Sequence, residues 1–306
     1  MSAYPKRLLS IQDLKVNQAQ EILELAKTYK ASSANAIPNA RFASKVVALA
    51  FLESSTRTRV SFEIACHRIG AKPIHFSGGS ESSIAKGESA HETIETVLAM
   101  RPDALVTRYG GDSQTERVLK NANLPIVNGG DGRNEHPTQA LLDAFTINER
   151  LGSIEGQKVL FVGDVEHSRV ARSNLHLLTM LGAKVASCSP NDFKPTAQEW
   201  KSCEHFENLR DGLKWASVCV GLRIQKERHE KNSRLNLEEY IKLYRIDHKK
   251  LLDLSSKGLI MHPGPFVPGE DLTDDVLSDP RCAIHEQVTN GVFIRMAVLT
   301  HILEAR

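Results

Sequence analysis

The chain has 306 residues, with 39 basic against 37 acidic side chains and a net charge of +2; 41% are hydrophobic and 25% charged. That length can supply two packed cores. A charge balance that even argues against a nucleic-acid or membrane-surface partner, and any anion site has to be local, a few arginines in a cleft.

The five cysteines, Cys66, Cys188, Cys203, Cys219 and Cys282, form no C-x-x-C pair, so zinc ribbons and redox motifs are disfavoured and reduced thiols are expected. Residues 1–6 lack the apolar stretch of a signal peptide. No window approaches the roughly 18 apolar residues of a membrane span. The expectation is a cytoplasmic protein with no membrane or nucleic-acid partner.

In chain order, short apolar runs predict strands at 46–51, 73–76, 104–107, 125–128, 158–162, 184–188, 217–221 and 259–261. Helical spacing fills the gaps. Ile22, Leu25, Ala26 and Tyr29 repeat at i, i+3, i+4 and i+7, as do Phe62, Ala65, Cys66 and Ile69. A helix is expected over 137–151, and Val292, Met296, Leu299 and Leu303 mark a last stripe. Alternating strands and helices predict an α/β fold of two doubly wound domains, each a parallel sheet flanked by helices. The first four strands group apart from the last four, with helix 137–151 bridging them. In open α/β sheets ligands sit beyond the carboxyl ends of the strands, so functional residues should follow strands directly.

One such segment is Glu53-Ser54-Ser55-Thr56-Arg57-Thr58-Arg59, between the strand at 46–51 and an amphipathic helix. A helix start offers free backbone N–H groups and partial positive charge. Three hydroxyls and two arginines within five residues turn that start into a phosphate site without a glycine-rich loop. No G-x-x-x-x-G-K-[ST] is present, and Gly163-Asp164-Val165-Glu166 is not G-x-G-x-x-G, so P-loop and dinucleotide folds are disfavoured.

A second segment, Glu135-His136-Pro137-Thr138-Gln139, opens the helix at 137–151. Proline suits the first helical position. His136 at the positive end of the helix dipole tends to stay neutral and can donate a hydrogen bond. The same placement suits a plain capping histidine, and the segment alone leaves both readings open.

Together these runs resemble the aspartate/ornithine carbamoyltransferase family, marked by S-x-R-T-R, H-P-x-Q and a late His-Pro or His-Cys turn. The likeness runs nearly the full length in order and spacing. Ser55-Thr56-Arg57-Thr58-Arg59, Lys86-Gly87-Glu88, Arg223-Ile224-Gln225-Lys226-Glu227-Arg228 and His262-Pro263-Gly264-Pro265 resemble its aspartate branch, whereas the ornithine branch carries His-Cys-Leu-Pro at the last position. The resemblance implies transfer of a carbamoyl group from carbamoyl phosphate to L-aspartate, in a cleft between two domains. Residues 1–135 with 288–306 would bind carbamoyl phosphate, and 136–287 would bind aspartate. It also implies a homotrimer with shared active sites and leaves open a regulatory chain or a dihydroorotase-like partner.

The implied roles follow motif by motif. Ser55, Thr56, Arg57, Thr58 and Arg108 resemble the phosphate-binding set. Ser82 and Lys86 resemble a loop lent by a neighbouring subunit, with Lys86 reaching both substrates. His136 and Gln139 resemble the groups around the carbamoyl moiety. Arg169, Arg223, Gln225, Gly264 and Pro265 resemble the aspartate-binding set. Two departures stand beside the site: Tyr109-Gly110 after Arg108, and Phe266-Val267-Pro268-Gly269-Glu270 after the late turn.

The chemistry fits those residue types. An amine attacks the carbonyl carbon, and charge develops on its oxygen and on the departing phosphate. Thr58, Arg108 and His136 can donate to that oxygen, while Arg57, Arg108 and Lys86 neutralise the leaving dianion. Two arginine forks, Arg169 and Arg223, suit an acceptor with two carboxylates. No metal-ligand spacing and no cofactor motif is evident. Rival readings are a carbamoyltransferase for another amine such as ornithine, a non-catalytic scaffold paralogue, and a nucleotide-binding regulator.

Overall fold

The computed structural model describes residues 4–32, 40–77, 87–225 and 236–305. The chain divides into two compact units, Met1–Leu142 with Val288–Arg306, and Asp143–Gln287.

The first unit is built on β1 (Arg7–Leu8), β2 (Val46–Phe51), β3 (Lys72–Ser77), β4 (Ala104–Tyr109) and β5 (Ile126–Asp131), all parallel in the order β1-β5-β4-β2-β3. Its helices are α1 (Val16–Ser32), α2 (Thr56–Ile69), α3 (Ala90–Ala99), α4 (Ser113–Asn121) and the start of α5 (Pro137–Leu151). Strands β4 and β5 are buried at every position, as parallel strands covered on both faces should be. The predicted stripe of α2 is its core face: Phe62, Ala65, Cys66 and Ile69 are at most 1% exposed.

The second unit carries β6 (Lys158–Val162), β7 (Lys184–Cys188), β8 (Glu204–Phe206), β9 (Val218–Gly221) and β10 (Leu259–Met261), parallel in the order β10-β9-β6-β7-β8. Around it lie the rest of α5, then α6 (Arg169–Met180), α7 (Leu209–Trp215), α8 (Leu237–Tyr244) and the first turn of α9 (Ile284–Glu304).

The remainder of α9 returns to the first unit. Its Asn290 accepts from Lys30 Nζ at 2.8 Å, its Thr300 hydroxyl meets Tyr29 at 2.9 Å, and Arg295 lies over the Phe62 ring. Ile294, Ala297, Val298 and Leu299 are buried there.

The eight predicted strands all exist, in two parallel sheets flanked by helices. Two more, β1 and β8, are edge strands of two and three residues, each opening on a charged residue, so no apolar run marks them, whereas the equally short β10 is Leu-Ile-Met. Strands β4 and β5 also run further than expected, so Arg108 lies within a strand rather than after one. The ladder continues through Asn128-Gly129-Gly130-Asp131, with a register shift between Thr107 and Tyr109. Gly129 permits it, since a Cβ there would stand 3.3 Å from the Thr107 carbonyl. Among the described residues no helix is long and apolar enough to cross a membrane.

Candidate active site

Helix α2 begins unlike its neighbours. Helices α3, α4, α6, α7 and α8 each have an N-cap side chain bonded to a first-turn amide. Ser55 holds the N-cap place of α2 in extended conformation, yet its hydroxyl makes no capping bond, and the first turn contains no acidic residue. Amides and dipole are thus kept for an anion from outside the helix. Thr56 and Arg57 are exposed beside them and Thr58 is buried. Partial burial draws the Arg57 guanidinium below its ordinary value, a shift that leaves it cationic.

Arg108 is brought to the same end of the sheet by strand pairing. Its carbonyl accepts from Leu52 N–H at 2.8 Å and Glu53 N–H at 3.2 Å. Its guanidinium donates to Glu53 Oε1 at 2.6 Å and to the Gly129 carbonyl at 3.3 Å. Glu53, quoted in sequence only as the start of a run, is therefore a charged partner at the phosphate end. Beyond Arg108 the Tyr109-Gly110-Gly111 turn interlocks with Gly132: Gly132 N–H donates to the Tyr109 carbonyl at 2.9 Å, and a Cβ on Gly132 would overlap the Gly110 carbonyl. The close approach requires glycine at 132 and leaves little room at 111, whereas a Cβ on Gly110 would meet nothing within 4 Å. Burial, then Asp131, Glu116 and Asp112, push the Tyr109 phenol well up.

His136 directly precedes α5 and accepts on its carbonyl from Gln139 N–H at 2.9 Å and Ala140 N–H at 3.3 Å, so it holds the N-cap position with Pro137 at the first helical place. His136 and Gln139 are both buried. The residue before them is gripped from several sides. Glu135 donates its N–H to Asp131 Oδ1 at 2.6 Å, and its carboxylate accepts from Ile11 N–H at 3.0 Å and from the Ser10 hydroxyl.

In the second unit, β6 is followed by Gly163 at φ +119°, where a Cβ would stand 2.5 Å from the Leu222 carbonyl and 2.8 Å from the Tyr240 hydroxyl. The chain then presents Asp164, fully buried, which accepts from His167 Nδ1 at 2.7 Å and from Gln225 N–H at 3.0 Å. Burial, then Asp271 and Asp164, raise the Tyr240 phenol far above its ordinary value. Ser168 caps α6 through Ala171 N–H at 3.1 Å, and Arg169 is its first residue, 6% exposed. A surface salt bridge would leave an arginine far more open.

Arg223 follows β9 and is half-buried, bonded through its guanidinium to the Ile224 carbonyl at 3.1 Å and Gln225 Oε1 at 3.4 Å. Gln225 returns a bond to the Arg223 carbonyl at 3.2 Å. Asp164, through the Gln225 amide, thus joins the ends of β6 and β9, a partnership the sequence reading did not single out. A glycine-acid pair straight after a buried strand is the signal that could have found it.

Gly264 and Pro265 lie in the turn after β10, joined by a cis peptide bond. Gly264 N–H donates to His262 Nδ1 at 2.9 Å, so the ring's other nitrogen carries the proton. Ser82 and Lys86 lie outside the described residues, as do Lys226 and Arg228. Among the thiols, burial pushes Cys66 and Cys219 up to about 12, which makes both poor nucleophiles.

Family models and relatives match the chain over nearly its full length. The sequence model of the aspartate/ornithine carbamoyltransferase carbamoyl-P binding domain matches residues 6–149, and that of the Asp/Orn binding domain matches residues 155–302. An aspartate carbamoyltransferase catalytic subunit of Rhodospirillum rubrum is 42% identical over 297 residues, covering 96% of this chain and 92% of that relative. The crystal structure of aspartate transcarbamoylase from Trypanosoma cruzi in complex with carbamoyl phosphate is similar with a TM-score of 0.89 at 29% identity, covering 97% of this chain and 96% of that one. The catalytic subunit of M. jannaschii aspartate transcarbamoylase gives a TM-score of 0.85 at 31% identity, covering 98% of each chain. The chain belongs to the aspartate/ornithine carbamoyltransferase family.

Proposed function

We propose that the chain transfers the carbamoyl group of carbamoyl phosphate to the amine of L-aspartate, giving N-carbamoyl-L-aspartate and phosphate, as a cytoplasmic step of pyrimidine biosynthesis. The observation that carries the choice of acceptor is the pair Arg169 and Arg223, one buried at the start of α6 and one half-buried after β9. Two guanidinium forks match the two carboxylates of aspartate. Ornithine, which would react through its side-chain amine, offers one carboxylate and an α-ammonium, and the second guanidinium would repel that ammonium.

In this reading the opening of α2 holds the phosphate: Ser55, Thr56 and Thr58 donate with the free amides, and Arg57 and Arg108 supply charge. Thr58, Arg108 and His136 donate to the carbonyl oxygen as the amine attacks, and Gln139 holds the carbamoyl amide. Leaving phosphate departs against Arg57 and Arg108. No covalent intermediate is needed, so much of the acceleration comes from orientation of the two substrates. Gln225, Gly264 and Pro265 complete the aspartate set.

Ser82 and Lys86 come from a neighbouring copy in a homotrimer with shared sites. Mixing Lys86→Ala and Arg57→Ala chains would then restore activity in hybrids, and verified subunit exchange without recovery would refute sharing.

The function itself is tested by incubating purified protein with carbamoyl phosphate and either L-aspartate or L-ornithine. Carbamoyl aspartate alone is the expected product. Citrulline would retain the phosphate half and overturn the acceptor half.

A further inference from the structure

A buried polar chain runs through the second unit and ends on the turn after β10. Asp143 on α5 is 1% exposed, Asn174 on α6 is fully buried, and Gln287 on α9 is 2% exposed. One Asp143 oxygen accepts from Asn174 Nδ2 at 2.8 Å and the other from Gln287 Nε2 at 2.7 Å. Gln287 Oε1 in turn accepts the N–H of His262 at 2.9 Å, and His262 Nδ1 accepts the N–H of Gly264 at 2.9 Å. On the far side of the turn Asp271 Oδ2 takes Val267 N–H at 2.7 Å and lies 3.9 Å from His262 Nε2.

The direction of every bond is dictated from one end. A carboxylate only accepts, so the Gln287 amide must turn its NH2 toward Asp143. Its carbonyl oxygen is then the atom left to face His262. That fixes the His262 backbone, and through the imidazole it fixes Gly264.

Burying a carboxylate costs several kcal/mol unless it is fully bonded, and an apolar core would pack these three helices at less cost. The network is thus better explained by what it orients than by the stability it adds. We infer that Asp143 and Gln287 are positioning residues for the acceptor amino acid: they set the backbone of the turn that presents Gly264 and Pro265. The inference rests on the assignment of that turn to aspartate binding.

Gln287→Glu supplies a test with a distinctive signature. Two carboxyl groups then face one another and share one proton, which raises the pair's upper titration step. With that proton present the new acid donates to Asp143 and still accepts from His262. As pH rises and the proton leaves, like charges repel and the turn loses its anchor. The titratable groups already in this network are Asp143, His262 and Asp271, and the last two are unchanged.

The expected result is an aspartate KM close to the parent at low pH that climbs at least ten-fold above it as pH rises, with the KM for carbamoyl phosphate unchanged throughout. Asp143→Asn combined with Gln287→Glu should abolish that pH dependence. The introduced amide would donate to the introduced carboxylate and accept from Asn174, and that carboxylate would accept from His262, so every bond is restored and only the one between residues 143 and 287 reverses its direction. Asp143→Asn alone sets NH2 against NH2 and should raise the aspartate KM at all pH values, which keeps the test alive if the Gln287→Glu variant does not fold. A KM for aspartate that follows the parent at every pH, or equal shifts in both substrates' KM, would overturn the inference. Pro265→Ala serves as the control. If it leaves the aspartate KM untouched, the turn does not bind aspartate and the inference falls with that assignment. If it raises the KM while Gln287→Glu and Asp143→Asn do not, the relay alone fails.

Discussion

Arg108 and Glu53 hold each other at both ends: the guanidinium donates to the Glu53 carboxylate at 2.6 Å, and the Glu53 amide donates to the Arg108 carbonyl at 3.2 Å. The side-chain pair neutralises a cation that the proposed phosphate site needs, yet it also aims that cation. In Glu53→Gln the aim weakens and the repulsion between carboxylate and phosphate disappears. Turnover is expected to fall about ten-fold, a barrier change near 1.4 kcal/mol, while inorganic phosphate binds as well or better. Steady-state kinetics and a phosphate titration measure the two effects separately.

Arg57 is exposed at the uncapped start of α2, so its loss should cost chemistry and not fold. Arg57→Ala is expected to lower turnover by about a hundred-fold or more, as removal of a transition-state donor does. Its thermal midpoint should stay within about 2 °C of the parent, as for an exposed substitution. Normal turnover in that variant would remove the phosphate assignment.

At the start of α5, His136→Ala separates capping from chemistry. A backbone carbonyl starts that helix, and alanine keeps a carbonyl. Turnover is expected to drop by more than carbamoyl phosphate binding weakens, the mark of a contact strengthened in the transition state. Equal losses would show ordinary binding.

Gly163→Ala addresses the junction behind the two arginines. The backbone there has φ +119°, and the new methyl would lie 2.5 Å from the Leu222 carbonyl, next to Arg223. Strain of this kind costs about 1–3 kcal/mol before the clash is counted. Urea unfolding should show that loss, and the surviving enzyme should have a raised KM for aspartate.

Away from the site, the Arg281 guanidinium binds Asp279 through two bonds, 3.0 and 2.7 Å, beside a third from the Arg281 backbone N–H at 2.9 Å, and donates to the Leu251 and Leu254 carbonyls at 3.0 and 3.1 Å. The Arg281 bond holds the Asp279 carboxyl below its ordinary value against the opposing effect of burial. A depressed carboxyl adds stability that is complete above its unfolded value, roughly pH 4, and is lost as pH falls through the lower native value. Arg281→Met is expected to be less stable at neutral pH and to lose less further stability over that acid range. Denaturant midpoints from pH 5 downward check the slope.

The fold was legible where the chain repeats itself. Phe62, Ala65, Cys66 and Ile69 mark their helix face because helical spacing returns them to one side. Strands with an unbroken apolar run announced themselves, down to the three residues of β10, and β1 and β8, each opening on a charged residue, did not. The apolar run stops at Thr107, which on composition alone puts Arg108 after its strand. The ladder through Gly129 shows that strand pairing, not composition, decides where a strand stops. The candidate site was legible where its chemistry is packed into consecutive residues, as in Ser55-Thr56-Arg57-Thr58 or His136-Pro137-Thr138-Gln139. Partnerships were not. Asp143 and Gln287 are 144 residues apart, and no local pattern points from one to the other.

The return of α9 to the first unit bears on synthesis. As the chain leaves the ribosome from its N-terminus, residues 143–287 of the second unit are all available before α9 is finished. The first unit must wait, because Ile294, Ala297, Val298 and Leu299 belong to its core. The unit that begins first is therefore the one completed last. Until then the face of α1 and α2 that α9 will cover stays open to water, and that interval is when a nascent chain would most need a chaperone.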